Sequence, residues 1–217
     1  MKHYVITIKD NPESVRVAQR CIDSGKKHGL DIEMFDAVTP HNGLTKIMRN
    51  NGIDIQNFEE VYSRLHNCAA AFMSHFSLWK KSVELQQEVT IFEHDAFIMA
   101  PLPTTISYRG CISFGEPSYG RWQEPLGLGV NPLTSKQYFP GAHAYRVKPH
   151  IAQLLIEEAQ RVAGPTDVFL HKNRFPFLEE YYPWPVVARD SFTTIQNENG
   201  IKAKHSYVKH GGKYEIL

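Results

Sequence analysis

The chain has 217 residues, 42% of them hydrophobic and 22% charged, with a formal net charge of +1. That length and composition fit one compact domain, and the near-neutral balance argues against general nucleic-acid affinity, which needs a concentrated basic surface. Cys21, Cys68 and Cys111 lie far apart with no C-x-x-C pair, so neither a zinc knuckle nor a disulfide framework is expected.

The expected setting is therefore a reducing one, and the expected protein soluble and cytoplasmic. No apolar run reaches the ~18–20 residues that a membrane span needs, and no secretory h-region opens the chain. From the N-terminus, Tyr4-Val5-Ile6-Thr7-Ile8 predicts a strand. Asn11 can cap the following helix and Pro12 can take its first position. That helix places Val15, Ala18 and Ile22 on one face and stops near Gly29. Ile32 to Val38 predicts a second strand, which completes a strand, helix, strand unit with a right-handed parallel crossover.

Residues 39 to 56, rich in Asn and Gly without a clear period, read as an irregular insertion. Phe58, Val61, Tyr62 and Leu65 have the spacing of a short helix. A longer helix over about 69 to 86 carries Phe72, Phe76, Trp79 and Val83 as a core stripe. Val89-Thr90-Ile91-Phe92 then reads as a strand buried on both faces. Glu93 and Asp95 follow directly and project to one side if the backbone stays extended there. Two hard oxygen donors so placed suit Mg²⁺ or Mn²⁺.

Gly110 to Phe114 predicts another strand, and the Gly/Pro/aromatic stretch from 115 to 140 is long enough to be functional or mobile. Ala142 to Val147 is a further strand candidate. Pro149 to Ala163 is a periodic helix using Ile151, Leu154, Leu155, Ala159 and Val162. Asp167 to Leu170 and Pro185 to Val187 are short apolar runs, with Asp167 at a loop-to-strand junction. Lys202, Lys204, Lys209 and Lys213 gather near the C-terminus and read as a solvated face, or as a patch that could meet phosphates.

The ordered segments YVITIKDNPE, FDAV, MSHFSLWKK, VTIFEHDAF, GAHAYRVKPHIAQLL, PTD and PWPVVARDSFTTI resemble the family 25 glycosyltransferases, a group with lipopolysaccharide-type and collagen galactosyltransferases. His94 stands where that family usually has the middle acid of Glu-Asp-Asp. Ser14 stands where an arginine commonly follows the Pro-Glu pair, and Ala70-Ala71 where Gly-Cys often precedes Ser-His. The resemblance implies an α/β, GT-A type, Rossmann-like single domain with a mixed sheet flanked by helices. Residues 1–100 would form the nucleotide-binding half and 101–217 the acceptor-side half.

It also implies a metal-dependent inverting glycosyltransferase moving a hexose, galactose or glucose, from a UDP-sugar to a saccharide or other hydroxyl acceptor, as in lipopolysaccharide biosynthesis. Thr7, Ile8, Asp36 and Ala37 would hold base and ribose at the ends of the first two strands. Glu93 would support the ribose or the metal shell. Mn²⁺ or Mg²⁺ would sit on Glu93, Asp95 and a C-terminal histidine, His205 or His210, and would stabilise the leaving diphosphate. Asp167 would take the acceptor's proton, although it reads equally as an Asp capping the turn after Gly164-Pro165. His75 would hydrogen-bond toward the nucleotide or the acidic loop, or be a satisfied core-edge histidine. Tyr145 and Trp184 would line a sugar pocket, or be plain core.

Two other readings compete. One is a non-catalytic nucleotide-sugar or carbohydrate-binding module in which the Glu-His-Asp variant has lost turnover. The other, a metal-dependent phosphohydrolase, lacks a clustered His/Asp signature.

Overall fold

The structure, a computed structural model, describes the chain except residues 59, 61, 140, 141, 190, 191 and 203–213. In chain order it forms β1 (Lys2–Thr7), α1 (Pro12–Lys26), β2 (Ile32–Asp36), α2 (Leu44–Asn50), a 3-10 turn (Ile55–Asn57), α3 (Leu65–Leu85), β3 (Val89–Glu93) and β4 (Ala96–Ile98). Then come β5 (Cys111–Ser113), β6 (Gly129–Pro132), β7 (Ala144–Val147), α4 (Pro149–Arg161), α5 (Thr166–Phe169), β8 (Leu178–Tyr182), β9 (Val186–Ala188), β10 (Phe192–Thr193), α6 (Glu198–Lys202) and β11 (Glu215–Ile216).

The main sheet has seven strands in the order β2-β1-β3-β7-β5-β8-β6. β1 runs parallel to β2 and β3, with Thr7 opposite Asp36 and Ile6 opposite Glu93. β7 enters antiparallel between β3 and β5, β8 runs parallel to β5, and β6 closes the edge antiparallel to β8. This is the expected mixed sheet flanked by helices. Alternation along the strands sends side chains to two cores. Tyr4, Ile6, Val89, Ile91, Tyr145 and Val147 join α2, α3 and α4 on one face. Val5, Phe92, Ile112 and Ala144 meet Ala18 and Cys21 of α1 on the other. Each fully buried Leu, Ile or Phe contributes on the order of 1.5–3 kcal/mol, so the buried sheet centre dominates the stability.

Asn11 caps α1 as expected, its side chain accepting the Glu13 and Ser14 amides at 3.0 and 3.1 Å, with Pro12 in the first turn. The buried face of α1 is not the expected one. Ser14, Val17, Ala18, Cys21, Ser24 and Gly25 are buried, while Val15 and Ile22 are half-buried. Small polar residues can face a core because each finds a partner: Ser24 Oγ donates to the Cys21 carbonyl at 2.8 Å and accepts the Ile98 amide at 3.0 Å.

Three other expectations are corrected. Residues 39 to 56 are not irregular throughout, since α2 lies there with Leu44 and Met48 buried. Phe58 and Tyr62 stand outside any helix and Val61 lies outside the described residues, so the expected short helix is not found there, while α3 starts at Leu65, ahead of the expected 69. On α4, Leu154 and Val162 are exposed while Ala152 takes a place in the core with Ile151, Leu155 and Ala159. A strand that sequence reasoning missed is β8, LEEYY. Its carboxylates look like surface residues but are answered locally. Glu179 accepts the Arg109 amide at 2.6 Å, and Glu180 accepts the Thr134 and Ser135 amides at 2.7 and 2.8 Å.

Candidate active site

A cavity of about 330 Å³ opens at the carboxyl ends of β1, β2 and β3, the crevice position at which open α/β sheets hold ligands. Ile6 and Ile8 come from the end of β1, Ala37 and Val38 from just beyond β2, and Glu93 and His94 from the end of β3. The first turns of α3 supply Asn67, Ala70, Ala71, Ser74 and His75. The α1 cap also faces the cavity, through Asp10 and Asn11.

Side chains of α3 fix this wall. Ser74 Oγ accepts the Val38 amide at 2.9 Å and donates to the Ala70 carbonyl at 2.9 Å, which ties the strand end to the helix. His75 is buried on the same helix, and its Nε2 lies 3.2 Å from Glu93 Oε1. On its far side His75 Nδ1 lies 3.0 Å from the Tyr145 hydroxyl, which accepts the Trp79 indole N–H at 2.8 Å. Burial pushes Glu93 up, but the hydrogen bond from His75 and the electrostatic pull of the His75, His143 and His94 rings outweigh it and hold the carboxyl below its ordinary value.

Asp167 behaves oppositely. Removal from water and then the charge of Glu93 push its carboxyl up to about 7, against the pull of the Val168 amide. The Tyr119 hydroxyl donates to its Oδ2. The two carboxyls are thus shifted in opposite directions, but only Glu93 lines the cavity, and Asp167 stands outside its lining. The cysteines offer no competing nucleophile: all three are buried and free of disulfides, and burial pushes Cys21 up to about 12 and the other two higher.

Of the residues expected at the nucleotide, Ile8, Ala37, His75 and Glu93 line the cavity. Thr7 does not: it is fully buried and its hydroxyl donates to the Val5 carbonyl at 3.1 Å. Nor does Asp36, which is exposed 3.8 Å from Lys9 Nζ. Residues 94 and 95 form the turn between β3 and β4, so the extended backbone that would align Glu93 with Asp95 is absent. Asp95 is buried, does not line the cavity, and bears on Cys21 of α1. His205 and His210 lie outside the described residues. Among the described residues no three His, Cys, Asp or Glu side chains come together to hold a metal ion, so these donors alone do not fit the implied cation. Asp167 sits on the one-turn α5 and not at the start of a strand. Tyr145 is fully buried core, while Trp184 packs edge-on against Trp122 and Tyr182 and donates to Glu180 Oε2 at 3.3 Å.

Sequence reasoning missed Thr39, Pro40 and His41, which follow β2 and line the cavity, and Thr194 and Ile195 opposite them. The departures from the family pattern carried a signal. Ser14 Oγ and His94 Nδ1 are 2.7 Å apart, so two of the departures meet in space. The third, Ala70-Ala71, lies in the cavity wall, where small side chains leave room for a ligand.

The fold and the crevice define an α/β protein built to hold a ligand across parallel strand ends. Residues 1–108 match the family model described as Glycosyltransferase family 25 (LPS biosynthesis protein). Residues 1–108 belong to that family, whose class is glycosyl transfer. No curated protein sequence matches it. Among solved structures it is similar to the apo form of mouse xyloside xylosyltransferase 1, at 11% identity and a TM-score of 0.38, over 98% of this chain and 93% of that one. That likeness is too loose to argue from. No helix among the described residues is long and apolar enough to cross a membrane.

Proposed function

We propose that the chain moves a hexose from a UDP-sugar to a hydroxyl of a saccharide acceptor, with inversion at the anomeric carbon. The observation that carries this reading is the cavity at the ends of β1, β2 and β3 with an ionised Glu93 on its wall. Ile6, Ile8, Ala37 and Val38 offer an apolar slot for the base. Glu93, an acceptor-only group when ionised, suits a ribose or sugar hydroxyl.

Inversion by single displacement needs a base on the acceptor side. Asp167, up to about 7, is matched to that work near neutral pH. Its Oδ2 already takes a hydroxyl proton donor in Tyr119. An acceptor hydroxyl would stand in the same relation to it. As that oxygen forms its bond to the anomeric carbon, the bond to UDP breaks and the proton passes to Asp167. Mn²⁺ or Mg²⁺ remains a proposed cofactor that would offset charge on the leaving diphosphate. The described donors form no metal centre. Cytoplasmic placement also stays a proposal.

The test is UDP release from a panel of UDP-hexoses, with Mn²⁺ present and with the cation chelated. Release above background that vanishes in Asp167→Asn supports the reading. Binding of UDP-sugars without any release, under every cation condition and with a saccharide acceptor mixture present, would leave a binding module instead.

A further inference from the structure

The hydrogen bonds behind Glu93 form a chain in which every proton has one place to go. The Trp79 indole can only donate, and it donates to the Tyr145 oxygen at 2.8 Å. The phenol's own proton then has His75 Nδ1, 3.0 Å away, as its acceptor. A neutral imidazole that accepts at Nδ1 carries its proton on Nε2, where Glu93 Oε1 stands at 3.2 Å. The other protonation states fit less well. A proton on Nδ1 alone would turn the Nε2 lone pair toward a carboxylate. A fully protonated ring would leave the phenol proton without an acceptor among the described residues. Packing holds the geometry: the His75 and Tyr145 rings stack with centroids 5.7 Å apart, Phe139 meets Tyr145 edge-on at 5.7 Å, and both Trp79 and Tyr145 are fully buried.

The far end of the chain faces the cavity. Glu93 lines it, and its second oxygen takes no hydrogen bond from any described residue. We propose that Tyr145, itself out of reach of any ligand, is a positioning residue: through the tautomer of His75 it holds Glu93 as a fixed hydrogen-bond acceptor for a hydroxyl of the bound nucleotide sugar. This rests on the reading of the cavity as the donor site. It gives Tyr145, otherwise a core residue, a part in selecting a ligand that presents a hydroxyl at Glu93. The arrangement has the logic of an orienting partner on a histidine's remote nitrogen, which sets what the near nitrogen can do.

The experiment uses the full chain. Long-range proton–nitrogen correlation spectra of ¹⁵N-labelled protein report the His75 tautomer, and calorimetry with UDP-galactose reports affinity. Wild-type protein is expected to show a single Nε2–H tautomer with Nδ1 as an acceptor. In Tyr145→Phe, which keeps the ring packing, the tautomer should become mixed and affinity should fall about tenfold, the scale of a weakened bond to a charged group. Val147→Ala, in the same strand and core but off the chain of bonds, should cost stability while leaving tautomer and affinity unchanged.

An Nδ1–H tautomer or a doubly protonated ring in the wild type would overturn the proposal without any variant. So would a tautomer that stays unchanged in Tyr145→Phe, or one that changes while affinity holds. Equal loss of affinity in Val147→Ala would reduce Tyr145 to packing. A wild type that binds neither UDP-galactose nor other UDP-sugars would instead refute the donor-site reading and the ligand half of this one, and the tautomer comparison would still decide whether Tyr145 sets His75.

Discussion

Replacing Asp167 with Asn should stabilise the protein at neutral and alkaline pH while removing transfer. The native carboxyl sits at about 7 against an ordinary 3.8 because the fold strips it of water and sets it near the charge of Glu93. For an acid raised in this way the native state keeps a proton that the unfolded chain has released. Stability therefore falls as pH rises from about 4 to about 7 and is level above that window. About three pH units at 1.36 kcal/mol each give about 4 kcal/mol, an upper figure because water reaches the half-buried group.

Asn escapes this cost. Its amide oxygen can still accept the Val168 amide, 2.9 Å from Oδ1 in the wild type, or the Tyr119 hydroxyl. The advantage of Asp167→Asn should be about 1 kcal/mol at pH 4.5 and approach the upper figure at pH 8. With a urea m-value of about 2–3 kcal/mol/M, the pH 8 difference is a midpoint shift of about 1–2 M. Urea denaturation followed by circular dichroism at both pH values reads it directly. Transfer by the wild type should rise with pH through about 7 as the base form fills, and be absent in the variant. A midpoint difference that is the same at both pH values, or that reverses at pH 8, would refute the argument that Asp167 is a destabilised carboxylate.

Glu93→Gln keeps an oxygen for His75 Nε2–H but loses the charge; UDP-sugar affinity should fall roughly 10- to 100-fold by calorimetry, with the fold retained. A Cβ at Gly115 would stand 2.4 Å from His143 Nε2, and the His143 carbonyl accepts the Glu93 amide at 3.0 Å. Gly115→Ala should therefore cost about 1–3 kcal/mol in denaturant melts and lower UDP-sugar affinity, since the intruding methyl disturbs the strand that carries Glu93. The 115 to 140 segment, expected from sequence to be functional or mobile, is anchored in its second half, where β6 pairs with β8 and Glu180 holds residues 134 and 135. Hydrogen exchange should gain protection on adding UDP and Mn²⁺ within residues 116–128 and stay unchanged over 129–135. Equal exchange of 116–128 in both states would make that stretch scaffold.

Local chemistry settled much of this protein from sequence alone. Asn11-Pro12 starts a helix wherever it lies, because the amide side chain and the fixed proline φ act within one turn. Val89 to Phe92 is a strand for a similar reason: β-branched and aromatic side chains with no polar face have nowhere to go but the middle of a sheet. The first strand, helix, strand unit and the strand ends that carry Ile8, Ala37 and Glu93 follow from those signals.

What depended on partners far along the chain was not legible. Whether Asp95 joins Glu93 turned on a two-residue turn into β4, whose pairing with β9 joins Ala96 to Ala188. The buried face of α1 carries serines because Ile98 and His94, some eighty residues away, answer them. The strand LEEYY is buried because amides at 109, 134 and 135 satisfy its acids. Hydrophobic periodicity reports only what a side chain avoids. It cannot report which distant donor will accept a charge, and at this site those donors decide which carboxylate faces the ligand.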